Sequence, residues 1–278
     1  PYYYGNQNSQ YAGRTLATAD MNGDSVDDLL IGGSGSSGTY GRIWFIDGGS
    51  TLSGSRNLSN ETSWYTSTYS YLGYSLASAG DLDADGYDDV LMGGYYYSYN
   101  GDGRVWVVYG DSSPSGGSMD SGYATITGSE SWDYVGWRNS IAGVGDVDGD
   151  GYDDLAIGCR YCEDYSNEGA IGLVYGSASQ MSGDTSFPSG MDAYVYGSNN
   201  SDYLSTVYKA GDIDGDGYDD LVLAANQAQS SRGEVYLFYG NSTAWSGEFD
   251  INDADAEFRG DELSDYLGWS FTGADLDD

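Results

Sequence analysis

The chain has 278 residues, with 44 acidic against 9 basic side chains, no histidine and a formal charge of −35. Such an excess argues against nucleic acid and anionic membrane surfaces as partners, since both need basic patches. Without histidine there are no Ser–His triads and no His-ligated zinc, and no apolar run approaches the length that spans a bilayer.

Taken in order, residues 1–10 open with Tyr2-Tyr3-Tyr4-Gly5, which reads as the last strand of a partial unit. From Tyr11 onward four segments recur in constant phase. The first is aromatic-led: Tyr11-Ala12-Gly13, Tyr71-Leu72-Gly73, Tyr134-Val135-Gly136, Tyr203-Leu204-Ser205 and Tyr266-Leu267-Gly268. An acidic loop follows, starting at Asp20, Asp81, Asp146, Asp212 and Asp275. Directly after each complete loop comes an apolar run: Leu29–Ile31, Val90–Met92, Leu155–Ile157 and Leu221–Leu223. Next come segments opening at Gly41, Gly103, Gly169 and Gly233, then a weaker set at Trp64–Thr68, Ala124–Gly128, Ala193–Gly197 and Ala256–Gly260.

These runs are short, β-branched and aromatic, bounded by Gly, Ser, Asn and Asp, and none holds a helical period. Each unit therefore reads as four strands, A to D, with the acidic loop as the A–B hairpin. The B and C runs lack polar alternation, so both faces of their sheet are expected to be buried. One such unit cannot cover two apolar faces alone, whereas a row of them can. The expected fold is all-β: a β-propeller of four-stranded antiparallel blades in a single array over 1–278. The blades would be 11–70, 71–133, 134–202 and 203–265, with partial blades at 1–10 and 266–278. Uncapped ends imply that the array continues.

The acidic loops carry the chemistry. Asp212-Ile213-Asp214-Gly215-Asp216-Gly217-Tyr218-Asp219-Asp220 is the type sequence. Positions 1, 3, 5 and 9 of the loops are Asp20, Asn22, Asp24 and Asp28; Asp81, Asp83, Asp85 and Asp89; Asp146, Asp148, Asp150 and Asp154; and Asp212, Asp214, Asp216 and Asp220. A fifth copy begins at Asp275 and Asp277. Carboxylates this close repel unless a hard cation lies between them, and an all-oxygen donor set with a small residue at position 6 suits Ca2+. About four or five ions are expected, one per loop. An EF-hand is excluded because position 12 is Ile31, Met92, Ile157 or Leu223 rather than a bidentate Glu.

Cys159 and Cys162 form a lone C-x-x-C, open to a local disulfide or two free thiols; an oxidising exterior favours the disulfide. Tyrosine is abundant at 29 residues, and Tyr95, Tyr96, Tyr97 and Tyr99 crowd one B–C loop. That composition suits an adaptable contact surface, although packing on a neighbouring blade would account for it equally. Arg259-Gly260-Asp261 reads as a chance tripeptide at a strand end.

The combination of Tyr71-Leu72-Gly73, the loop Asp81–Asp89, the apolar strand, Gly93-Gly94 and Gly103-Arg104-Val105 resembles the FG-GAP repeats of integrin alpha subunits. The resemblance covers nearly the whole chain. It implies a propeller with calcium in the A–B hairpins, to which Val26, Tyr87, Tyr152 and Tyr218 at position 7 would add their carbonyl oxygens. It also implies an extracellular or cell-surface setting, with ligands meeting the opposite B–C and D–A loops. Repeat one departs at Asn22 and Ser25, so weaker calcium binding is expected there. Position 8 is expected to bond backbone or an arginine such as Arg42 or Arg104. The functional expectation is a non-catalytic calcium-binding module for a protein or glycan ligand, or for further copies in a fibre or surface layer.

Overall fold

The computed structural model describes residues 2–4, 10–35, 40–49, 53–97, 100–162 and 167–270. The chain is all-β; among the described residues helix is limited to short turns such as Leu58–Asn60 and Ile251–Asp253. The strands are β1 (Tyr2–Tyr4), β2 (Thr15–Ala19), β3 (Asp28–Gly33), β4 (Arg42–Ile46), β5 (Ser55–Asn57) and β6 (Ser63–Tyr65). The second unit has β7 (Ser75–Gly80), β8 (Asp89–Gly94), β9 (Arg104–Val108), β10 (Gly117–Ser118) and β11 (Ala124–Gly128). The third has β12 (Ile141–Gly145), β13 (Asp154–Cys159), β14 (Ala170–Val174), β15 (Asp184–Phe187) and β16 (Ala193–Tyr196). The fourth has β17 (Thr206–Gly211), β18 (Asp220–Ala225), β19 (Glu234–Phe238), β20 (Gly247–Asp250) and β21 (Ala256–Arg259).

Each unit forms a four-stranded antiparallel meander, as in β7-β8-β9-β11, with the acidic loop turning the first hairpin. A fifth strand, absent from the expectation, completes three of the sheets. The short strand between C and D crosses to the preceding unit and pairs in parallel with its outer edge: β10 with β6, β15 with β11, and β20 with β16. β5 does the same for β1, matching Tyr3 to Arg56. Covering an exposed edge this way satisfies its backbone groups and ties each sheet to the next.

The sheets pack face to face. Strands β8, β13 and β14 are buried along their whole length, as unbroken apolar runs require. One core cluster joins the second and third units through Leu91, Val105, Ile126, Ile157 and Phe187. Another joins the third and fourth, and one the first and second. The innermost strands β2, β7, β12 and β17 pack side by side in that order. Their Ala and Gly content permits this; a Cβ at Gly143 would collide with the backbone of Ala79. This layout is consistent with propeller blades around a common axis.

The aromatic-led segments are turns rather than the start of strand A. Tyr11, Tyr71, Tyr134, Tyr203 and Tyr266 all have left-handed backbones, with φ of 53°, 54°, 55°, 56° and 51°. The turn closes through hydrogen bonds such as Tyr74 N–H to Tyr71 O at 3.0 Å. In the partial blade expected at 266–278, residues 266–270 are likewise a turn, closed by Trp269 N–H to Tyr266 O at 3.0 Å. Residues 271–278, with Asp275 and Asp277, lie outside the described residues.

Candidate metal centres

The four acidic loops share one hydrogen-bond plan. The position 1 carboxylate accepts from the N–H groups of positions 5 and 6: Asp81 from Asp85 (3.0 Å) and Gly86 (2.9 Å), Asp212 from Asp216 (3.0 Å) and Gly217 (2.9 Å). Asp20 and Asp146 repeat it. The position 5 carboxylate accepts from position 7: Asp24 from Val26, Asp85 from Tyr87, Asp150 from Tyr152 and Asp216 from Tyr218. Two left-handed residues produce this winding, at positions 4 and 6. Glycine supplies most of them, but Ala84 (φ 53°) and Ser25 (φ 67°) adopt the same conformation.

Position 9 is the buried foot of the loop, with Asp28, Asp89, Asp154 and Asp220 all at 0 % exposure. Each accepts from the glycine that ends the C strand, Gly48, Gly110, Gly176 or Gly240, at 2.9 Å. Three also accept from position 2: Asp89 from Leu82, Asp154 from Val147 and Asp220 from Ile213. In the first loop Asn22 Nδ2 donates to Asp28 Oδ1 at 3.2 Å. Burial pushes the Asp89 carboxyl up to about 8 and Asp154 up to about 7, and raises Asp28 and Asp220 too, against the lowering effect of the backbone donors. Partial burial, with neighbouring carboxylates, also raises Asp85 and Asp148.

Three loops bring carboxylate oxygens within 4.8 Å of one another: Asp81, Asp83 and Asp85; Asp146, Asp148 and Asp154; and Asp212, Asp214 and Asp220. Asp83 Oδ2 takes a bond from Gln180 of the next unit at 2.7 Å, but its Oδ1 is buried with no hydrogen-bond partner among the described residues. Buried carboxylate oxygens left unpaired beside like charges fit a hard cation well and are costly without one. Asp20, Asn22 and Asp24 occupy the same loop positions in the first unit.

Position 8 bonds backbone, and not the arginines considered for it. Asp88, Asp153 and Asp219 each accept the N–H of position 1 of the preceding loop. Arg104 instead reaches Thr127 and Asp184, and Arg42 reaches Ser63. Cys159 and Cys162 are joined as a disulfide, with Cα atoms 5.5 Å apart.

On the opposite face, Tyr95, Tyr96 and Tyr97 are half-buried. Tyr95 lies among Tyr71 (5.0 Å between centroids), Tyr74 (4.3 Å) and Trp137 (4.4 Å); Tyr97 sits under Arg104. Tyr99 falls outside the described residues. The more exposed rings of this face are Tyr11, Trp132 and Trp269. Arg14, Arg138 and Arg160 stand there too, unmarked by any sequence pattern except that Arg14 and Arg138 come directly after the aromatic turns. Arg259 of the tripeptide is ion-paired to Glu234 at 3.1 Å. No helix of the described residues is long and apolar enough to cross a membrane.

The FG-GAP repeat family matches residues 12–46, 72–108 and 210–238. Integrin alpha-5 of Xenopus laevis is 32% identical over 225 residues, 77% of this chain and 20% of its own length. Integrin alpha-V of Gallus gallus is 28% identical over 220 residues, again 77% of this chain and 20% of its own length. Phosphatidylinositol-glycan-specific phospholipase D of Homo sapiens is 31% identical over 253 residues, 85% of this chain and 29% of its own length. The chain thus spans less than a third of each of these relatives. All-β sheets repeating in register with the acidic hairpin, and these matches, agree: the chain carries FG-GAP repeats and is related to integrin alpha subunits.

Proposed function

We propose that the chain is a calcium-binding β-propeller segment that works outside the cell as a non-catalytic, ligand-binding module. In this reading the four complete blades are 11–70, 71–133, 134–202 and 203–265. The observation that carries it is the repeated cage, with carboxylates wound by their own loop and Asp83 Oδ1 left unpaired and buried. Positions 1, 3, 5 and 9 with the carbonyl of position 7 would hold the metal, fixing the hairpin rather than activating a substrate. The integrin relatives and the Cys159–Cys162 disulfide support an extracellular setting. A protein or glycan ligand would meet the aromatic face.

Calcium titrated calorimetrically into chelator-stripped protein should bind at about four sites of 10⁻⁴–10⁻³ M affinity, as in other extracellular modules, and raise the melting temperature. Unchanged melting would remove the metal reading. The phospholipase match over 85% of this chain favours a second reading, in which the same propeller is the non-catalytic part of a secreted enzyme. Hydrolysis of a glycan or phospholipid by this chain alone would contradict both.

A further inference from the structure

The inner strands line an open cavity of about 870 Å3. Its described lining contains Arg14, Arg138 and Arg160 and no aspartate or glutamate. That composition is opposite to the chain's, which has 44 acidic and 9 basic side chains. Among the described residues none of these three arginines is ion-paired. Each instead lies against an aromatic ring: Arg14 3.9 Å from the centroid of Tyr74, Arg160 4.6 Å from Tyr203 and Arg138 6.0 Å from Trp269. Stacking fixes a guanidinium while leaving its in-plane N–H donors available.

A second observation is independent of charge. Ser140 Oγ and Asn226 Oδ1, on residues 2 % and 6 % exposed, have no hydrogen-bond partner among the described residues, and both residues line this cavity. Unpaired buried polar atoms are costly, and a ligand hydroxyl would satisfy them. Trp269, 51 % exposed, offers a ring for an apolar sugar face.

We propose that this cavity binds an acidic oligosaccharide, a chain of sugar acids whose carboxylates meet Arg14, Arg138 and Arg160 while their hydroxyls meet Asn226 and Ser140. A sugar acid brings carboxylate, O–H donors and a stacking C–H face on one ring; an aspartate or glutamate side chain brings only the first. The inference rests on the reading of this face as the ligand surface, and names the ligand class.

The test uses the calcium-saturated chain and three probes: a galacturonic acid tetramer, a galactose tetramer and an acidic tetrapeptide. Calorimetry should show the galacturonate binding at least about tenfold more tightly than either other probe. Added salt should weaken it. The variants R138Q and R160Q together, and W269A alone, should each lower that affinity by about tenfold or more, with melting temperatures unchanged. Equal affinity for the neutral tetramer, preference for the peptide, or indifference to the variants would overturn the sugar-acid assignment. Melting of the same samples with and without calcium separates the two readings. No galacturonate binding with calcium-dependent melting intact defeats this inference alone; loss of both defeats the calcium module as well.

Discussion

The carboxylate of Asp88 accepts the backbone N–H of Asp20 at 2.9 Å, and the N–H of Asp88 donates back to the carbonyl of Asp20 at 3.0 Å. The two residues are 68 apart in sequence. The pairs Asp153–Asp81 and Asp219–Asp146 repeat the reciprocal bond. Position 8 therefore staples each acidic loop to the preceding one, at the residue that begins the cage. Asp153→Ala should cost about 1–3 kcal/mol by stranding the Asp81 N–H. Calorimetry should still count the same number of calcium ions, because Asp153 lies outside the cage.

Positions 3 and 9 should separate on mutation. Asp148 is a cage carboxylate raised by burial and by Asp150, whereas Asp154 also accepts two backbone N–H groups at 2.9 Å. Asp148→Asn should weaken one calcium site, as Asn22 is expected to do in the first loop, while leaving metal-free stability nearly unchanged. Asp154→Ala should remove the ion and also lower metal-free stability by about 3 kcal/mol, since two buried donors lose their acceptor. Denaturant unfolding with and without chelator distinguishes the two outcomes.

Without metal, stability should fall as pH rises. Asp89 is pushed up to about 8 and Asp154 to about 7, both above the value of an unfolded aspartate. Between about pH 4 and pH 8 the folded state therefore holds protons that the unfolded chain has released, so raising the pH favours unfolding. Calcium bound at these carboxylates would displace those protons, so the rise in melting temperature on adding calcium should be larger at pH 8 than at pH 5. A calcium effect independent of pH would contradict this account.

Gly103 opens strand C, and its φ of 77° is left-handed. A Cβ there would collide with the backbone of Val135, with which Gly103 forms a parallel bridge. Gly103→Ala should destabilise by about 2 kcal/mol or more, read as a lowered denaturation midpoint with an unchanged slope. Ala84→Gly is the reverse case: the alanine already occupies a left-handed position at φ 53°. Relief of that strain should raise stability by up to about 1 kcal/mol.

Tyr95 is a packing residue in this fold. Its ring touches Tyr71, Tyr74, Tyr134 and Trp137, and burial raises its hydroxyl to about 12. Tyr95→Ser should therefore cost about 3 kcal/mol in thermal unfolding. Trp132→Ser, at a ring 53 % exposed, should cost under about 1 kcal/mol.

The sequence by itself determined what depends on neighbours along the chain. The phase of the repeats, the apolar B and C strands and the acidic A–B hairpin follow from local patterns. The loop from Asp81 to Asp89 places its carboxylates on one turn because its spacing and its residues at positions 4 and 6 allow that winding and little else. Tertiary structure decided what depends on backbone approaching backbone from another unit. The crossing of β10 to β6, the partner of Asp88 and the requirement for glycine at Gly103 lie in contacts tens of residues apart. Local propensity is silent on these contacts, because a short polar strand or a lone aspartate gives no sign of the edge it will meet. The same holds for Arg14, Arg138 and Arg160. Scattered over 147 residues of an acidic chain, they become a basic cavity only when packing of successive units brings them together.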